Sequence, residues 1–136
     1  MMMLTTEIII RLLLSVIFGI IIGFEREIAH KPAGLRTYAL ISLGSCLFTL
    51  ISIYYFPFDP ARIIAGMVGG IGFIGAGIMI ASKNRIRGIT TAASLWCITA
   101  VGISVGVGAY ALSFTTTIII FILLQLKKAE KKLKKR

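Results

Sequence analysis

Acidic side chains are scarce in this sequence. Five Asp and Glu face fifteen Lys and Arg in 136 residues, and the chain has one histidine, one tryptophan and two cysteines. So few carboxylates supply an all-protein cage for a hard cation poorly, since such an ion takes six or more oxygens. Cys46 and Cys97 stand apart in apolar runs. They spell neither a disulfide framework nor a metal-ligand spacing, and read as small hydrophobes. His30 is a lone loop histidine, and no nucleophile–base pair or metal motif of the HExxH kind is legible, so an enzyme is not expected. Charged residues of either sign make up only 15% of the chain, against 57% hydrophobic residues and a mean hydropathy of +0.96. A soluble domain of this size cannot cover so much apolar surface, whereas a bilayer supplies apolar solvent.

The net charge of +10 does not point to nucleic acid, because seven of the fifteen basic residues lie in the last ten positions, KKAEKKLKKR. A basic run beside apolar spans reads as a membrane-surface tail, and no DNA- or RNA-binding motif accompanies it. Apolar runs predict an all-α polytopic bundle of about five transmembrane helices, at 5–23, 37–58, 63–82, 89–105 and 109–126, with a basic cytoplasmic tail at 127–136. The last two spans come from dividing thirty-nine uncharged residues, 88–126. As one helix these would be roughly 58 Å long, about twice a bilayer core, and Gly106-Val-Gly108 offers a turn. The N-terminal MMMLTTEIII lacks a basic leader and a cleavage site, and reads as a retained anchor. Arg26, Lys31, Arg36, Lys83, Arg85, Arg87 and the basic tail gather on one side, against Arg11 and Arg62 on the other. The positive-inside rule then predicts an outer N-terminus and an inner C-terminus. Glu7 and Arg11, four residues apart, can pair on one helix face while Arg11 reaches towards the interface.

Within GGIGFIGAGIMI, Gly70, Gly72 and Gly75 match the dinucleotide fingerprint G-x-G-x-x-G. The context excludes that reading: the glycines sit inside an uncharged span, and the position twenty residues beyond Gly75 is Leu95 rather than an acid. Small residues let helix backbones approach closely in lipid. Gly66, Gly70, Gly72, Gly75 and Gly77, with Gly102 and Gly106 in helix four and Gly19 and Gly23 in helix one, therefore read as packing positions. They place helix three at the buried centre, against helices one and four. The same smooth backbone is also suited to bordering a hydrated path.

Three further groups stand out. Glu25, Arg26 and Glu27 close helix one, either as interface anchors or as a latch to Arg36 or Arg87 on a neighbouring helix. Gly34-Leu-Arg36-Thr37 and Arg87-Gly-Ile-Thr90-Thr91 are similar re-entry points, a faint internal repeat, where helix N-termini favour an anion or are simply capped by threonine. Asp59-Pro-Ala-Arg62 opens helix three, with Asp59 as the N-cap. Glu25, Glu27 and Asp59 are weak candidates for a Mg²⁺ that keeps most of its waters. Trp96 lies near mid-span, so its indole N–H is expected to find a partner inside the bundle.

Taken together, Gly23-Phe-Glu25-Arg26-Glu27, Lys31-Pro-Ala-Gly-Leu-Arg-Thr37, Asp59-Pro-Ala-Arg62, Gly70-Ile-Gly-Phe-Ile-Gly-Ala-Gly77 and Arg87-Gly-Ile-Thr-Thr-Ala-Ala-Ser94-Leu-Trp96 resemble the membrane domain of the MgtC/SapB family. They follow the family's order over most of the chain. The resemblance implies an inner-membrane protein of about five helices without a resident cofactor, linked to adaptation to low magnesium and, in pathogens, to survival inside host cells. It implies a non-enzymatic regulator of partner membrane proteins, with a small oligomeric transporter or channel for an ion as the alternative; the several GxxxG-type faces of so small a bundle predict a homodimer in the bilayer. Two departures stand out. The family's usual Ala-Gln-Val-Val-Ser-Gly approach to the glycine run is Ala65-Gly-Met-Val-Gly-Gly70 here, and a short Lys-rich segment stands where many members carry a soluble domain.

Overall fold

The computed structural model describes residues 2–80 and 87–133 and is all-helical there, with five helices: α1 (Met2–Ile28), α2 (Leu35–Tyr55), α3 (Pro60–Ile80), α4 (Ile89–Gly106) and α5 (Tyr110–Leu133). Four of them are long and apolar enough to cross a membrane, and the apolar part of α5, Tyr110–Leu126, is shorter. Lys83, Arg85 and the last three residues of the basic tail lie outside the described residues.

The long uncharged stretch breaks at Gly108. Its φ of +83° is left-handed, a conformation glycine adopts without the steric cost of a Cβ. The Gly108 N–H donates to the Val105 carbonyl at 2.9 Å and the Ala109 N–H to the Ser104 carbonyl at 2.8 Å, the two bonds of a Schellman stop. The end of α1 repeats this device. His30 takes the left-handed position at φ +51°, its N–H donates to Glu27, and the Lys31 N–H donates to Arg26, both at 3.0 Å. The lone histidine is thus the residue that stops α1.

The central element is α4, which packs against all four other helices, while α1 and α2 share the most extensive interface. This corrects the expectation that helix three is the buried centre. α3 touches α2 and α4 but not α1, and it is the least buried of the four long apolar helices. Its glycines do not hold the bundle together. A Cβ built at Gly66, Gly69, Gly70, Gly72 or Gly77 meets nothing within 4 Å, and only at Gly75 does it approach a neighbour, the Ala92 methyl at 3.3 Å. Composition marks a helix as smooth but does not say which face finds a neighbour.

Close approach occurs elsewhere. A Cβ at Gly19 would lie 2.6 Å from the Tyr38 carbonyl oxygen, one at Gly102 2.4 Å from that of Ser42, and one at Gly106 2.6 Å from Thr49 Cβ. α2 is therefore clamped between α1 and α4 with backbone nearly touching backbone. Its inward face is mostly hydroxyl: Tyr38, Ser42, Ser45, Thr49 and Ser52 are buried. Ser45 donates to Ile41 and Thr49 to Ser45 along the helix, so these two hydroxyls are satisfied locally and add little width to the contact.

Candidate functional site

α1 continues to Ile28, so Glu25 and Arg26 lie within its last turns rather than in a loop. Both are buried, at 5% and 3% exposure. Consecutive helical side chains point in different directions, so burial of both means that this end of α1 is enclosed on two sides. Gly23 permits it: a Cβ there would stand 2.7 Å from the Leu35 Cα. Glu25 Oε2 lies 3.1 Å from Arg26 Nε, yet neither atom has the alignment of a hydrogen bond. The pair is held by charge, in surroundings where an unpaired ion is costly.

Tyr38, fully buried on α2, lies within electrostatic range of both charges. Its hydroxyl is 2.5 Å from Ser94 Oγ, and Ser94 Oγ donates to the Thr91 carbonyl at 2.9 Å. With the serine proton so committed, Tyr38 is the donor to Ser94. A charge pair on α1, a phenol on α2 and a hydroxyl on α4 thus meet at one end of the bundle. Sequence reading named Glu25, Arg26, Thr91 and Ser94 but missed Tyr38, whose signal was a phenol inside an uncharged span that needs a partner when buried.

Glu27 does something different. It points outward, and its Oε2 accepts the Leu35 N–H at 3.0 Å, so a carboxylate from α1 caps the N-terminus of α2. Favourable charge at a helix start is the physical basis. The anion expected at Gly34-Leu-Arg-Thr37 is thus the protein's own. Gly34 makes room for it, since a Cβ there would fall 1.7 Å from Glu27 Oε2. Glu27→Ala is expected to cost about 1 kcal/mol, the usual value of such a cap, read as a lower unfolding midpoint in detergent. Gly34→Ala displaces the same carboxylate, so combining the two should cost no more than the worse single change. Full additivity would break the link between them.

The other predicted residues do not join this cluster. Arg36, Arg87 and Thr90 are exposed and Thr37 is half-buried, so the latch from Glu25 or Glu27 to Arg36 or Arg87 is not what forms. Carboxylates meet the neighbouring Arg26 and a backbone N–H instead. Trp96 corrects a second expectation: it projects from the bundle at 54% exposure, because α4 turns its Ala93, Trp96 and Ala100 side outward. Asp59 and Arg62 lie at the far end of α2, roughly 30 Å away at 1.5 Å per residue, exposed and 3.8 Å apart. Glu25, Glu27 and Asp59 therefore cannot share an ion, and no group of three His, Cys, Asp or Glu suited to a metal occurs among the described residues. Among the described residues the carboxylates do not gather into a site for a resident Mg²⁺.

At the end opposite the Glu25 cluster, Arg11 pairs with Glu7 and donates from Nη1 to the Gly106 carbonyl at 2.6 Å. It satisfies a carbonyl at the last turn of α4, where positive charge is favoured. Sequence reading found the partner on its own helix and missed the one ninety-five positions away.

Four helices long and apolar enough to cross a membrane, with many large hydrophobic side chains turned outward, mark an integral membrane protein. Residues 12–133 match the MgtC family, and the chain belongs to that family. It is 42% identical over 130 residues to the "Putative magnesium transporter YhiD" of Escherichia coli K12, covering 89% of this chain and 60% of that protein. It is 42% identical over 112 residues to "Protein MgtC" of Salmonella typhimurium LT2, covering 82% and 48%. "Protein SapB" of Bacillus subtilis 168 is 37% identical over 126 residues, covering 85% and 54%. The chain thus spans about half to three-fifths of the length of these relatives. No solved structure matches it significantly.

Proposed function

We propose that this chain is a non-enzymatic plasma-membrane protein of magnesium homeostasis that acts on partner membrane proteins and does not conduct ions through its own bundle. The observation that carries this reading is the closed interior. Gly19, Gly102 and Gly106 bring α1, α2 and α4 to backbone contact, leaving no room for a hydrated path between them. The cavity of about 510 Å³ opens elsewhere, between α2 and α3, and is lined by Leu40, Phe48, Met67 and other mainly apolar groups. Beyond the hydroxyls of Ser45 and Thr99 its side chains offer a passing cation no oxygen ligands. The N-terminus faces outward in this reading, which puts the Glu25 cluster at the cytoplasmic end, and the chain assembles as a homodimer.

Purified protein in liposomes is expected to give Mg²⁺ flux no faster than empty vesicles, while cells carrying it gain growth in low magnesium. Flux above the empty-vesicle rate that is lost in Arg26→Met would overturn the reading. It would favour transport, which has its own support in the buried Glu25–Arg26 pair, since ionisable groups within membrane spans often mark ion pathways.

A further inference from the structure

The face of α3 that the bundle leaves uncovered has a particular composition. Arg62, Gly66, Gly69, Phe73 and Gly77 recur every three or four residues and share one side of the helix, and all five are exposed. Phe73 stands out from it at 88% exposure. Each glycine inside a helix costs about 1 kcal/mol relative to alanine, and here no neighbour among the described residues repays that cost. Lipid tails repay it no better, because an acyl chain packs against alanine as well as against glycine. A second helix does repay it, by approaching to backbone contact.

The charges indicate which helix. Asp59 and Arg62 sit together at the start of the face, opposite in sign and exposed, 3.8 Å apart, well beyond the roughly 2.8 Å of a charge-assisted hydrogen bond. Copies inserted in one orientation can be related only by an axis along the membrane normal. Their α3 helices then run parallel, and like ends meet. About such a two-fold axis each Arg62 faces the other copy's Asp59, the reciprocal contact of an isologous interface. Shape agrees with charge. Gly69 and Gly77 lie one turn to either side of Phe73, so the face carries a knob beside its own holes. The cavity of about 510 Å³ borders this face at Gly66 and Gly70, while a benzene ring fits in about 150 Å³.

We propose that α3 is the self-association surface: two copies pack parallel through the Gly66–Gly69–Phe73 face, with Arg62 and Asp59 pairing across the axis. This rests on the homodimer in the functional reading and specifies its interface. Liposome flux and the following test fail separately, since one reports ions and the other neighbours.

Single cysteines are placed at Gly69 or Phe73 in a Cys46→Ser/Cys97→Ser chain, with controls at Leu13 on α1 and Phe114 on α5, both exposed. After oxidation in native membranes, the α3 positions are expected to give a disulfide-linked dimer several-fold above the controls. In the Phe73→Cys chain, Asp59→Arg should reduce the dimer band, and adding Arg62→Asp should restore it. Equal cross-linking at the controls would overturn the proposal. So would membrane-inserted protein that stays monomeric at every position, the result for a lipid-covered face, or a linked species of another mass, the result for a different partner. Indifference of the band to the charge reversal would remove the Arg62–Asp59 pairing.

Discussion

Gly102→Ala is expected to destabilise the bundle by roughly 1–3 kcal/mol, the usual cost of forcing atoms into a filled core, and Gly102→Leu to give no folded protein. The added methyl would lie 2.4 Å from the Ser42 carbonyl oxygen and 2.8 Å from Ser45 Cβ. A backbone carbonyl cannot swing aside as a flexible side chain does, so α2 and α4 must separate. That separation is costly because α4 is the element every other helix packs on. Gly72→Ala, in a helix with more glycines, should behave oppositely. It meets nothing within 4 Å and should stabilise by about 1 kcal/mol through helix propensity. The fraction remaining folded after heating in detergent, followed by size-exclusion, distinguishes the two. Equal tolerance at both positions would mean that α2 and α4 do not meet at Gly102.

Arg26→Met is expected to cost about 3–5 kcal/mol, as removal of one member of a buried ion pair does. The loss is not the value of the contact but the penalty of a Glu25 carboxylate left at 5% exposure with no counter-charge. Glu25→Leu combined with Arg26→Met should therefore recover most of the stability, since apolar groups of similar size replace buried pairs at little cost. The double variant also separates structure from function. If it folds but no longer supports growth in low magnesium, the charges serve more than packing. If it folds and supports growth fully, the pair has only a structural role. Failure of the double variant to recover would show that Glu25 or Arg26 is held by something beyond its partner.

The number and order of the helices were legible because burial in lipid writes itself directly into runs of apolar residues. Their arrangement was not. The glycine content of α3 suggested the centre, yet α4, with Thr91, Ser94, Leu95, Ile98, Gly102 and Val105 all buried, takes that place. Its small and hydroxyl residues were the better guide, because they recur every three or four positions along one broad face. Glu25 and Arg26 read as boundary anchors because the uncharged apolar run ends just before them. The helix continues to Ile28 and carries them inside. The Glu27 cap and the Arg11–Gly106 contact escaped for a common reason: each joins a side chain to a backbone group, which has no residue identity for a motif to record.

The order in which the chain is made differs from the order in which it packs. α1 and α2 emerge first and can close on each other at once, pinned by the Glu27–Leu35 bond. α3 follows and has only α2 to rest on. Without α4 the core has no centre, since α4 is the helix that each of the other four packs on. Its last turn is then fixed by Arg11, from the helix synthesised first. The Arg11–Gly106 contact thus joins helices far apart in the chain, and α5, which rests on both α1 and α4, comes after it.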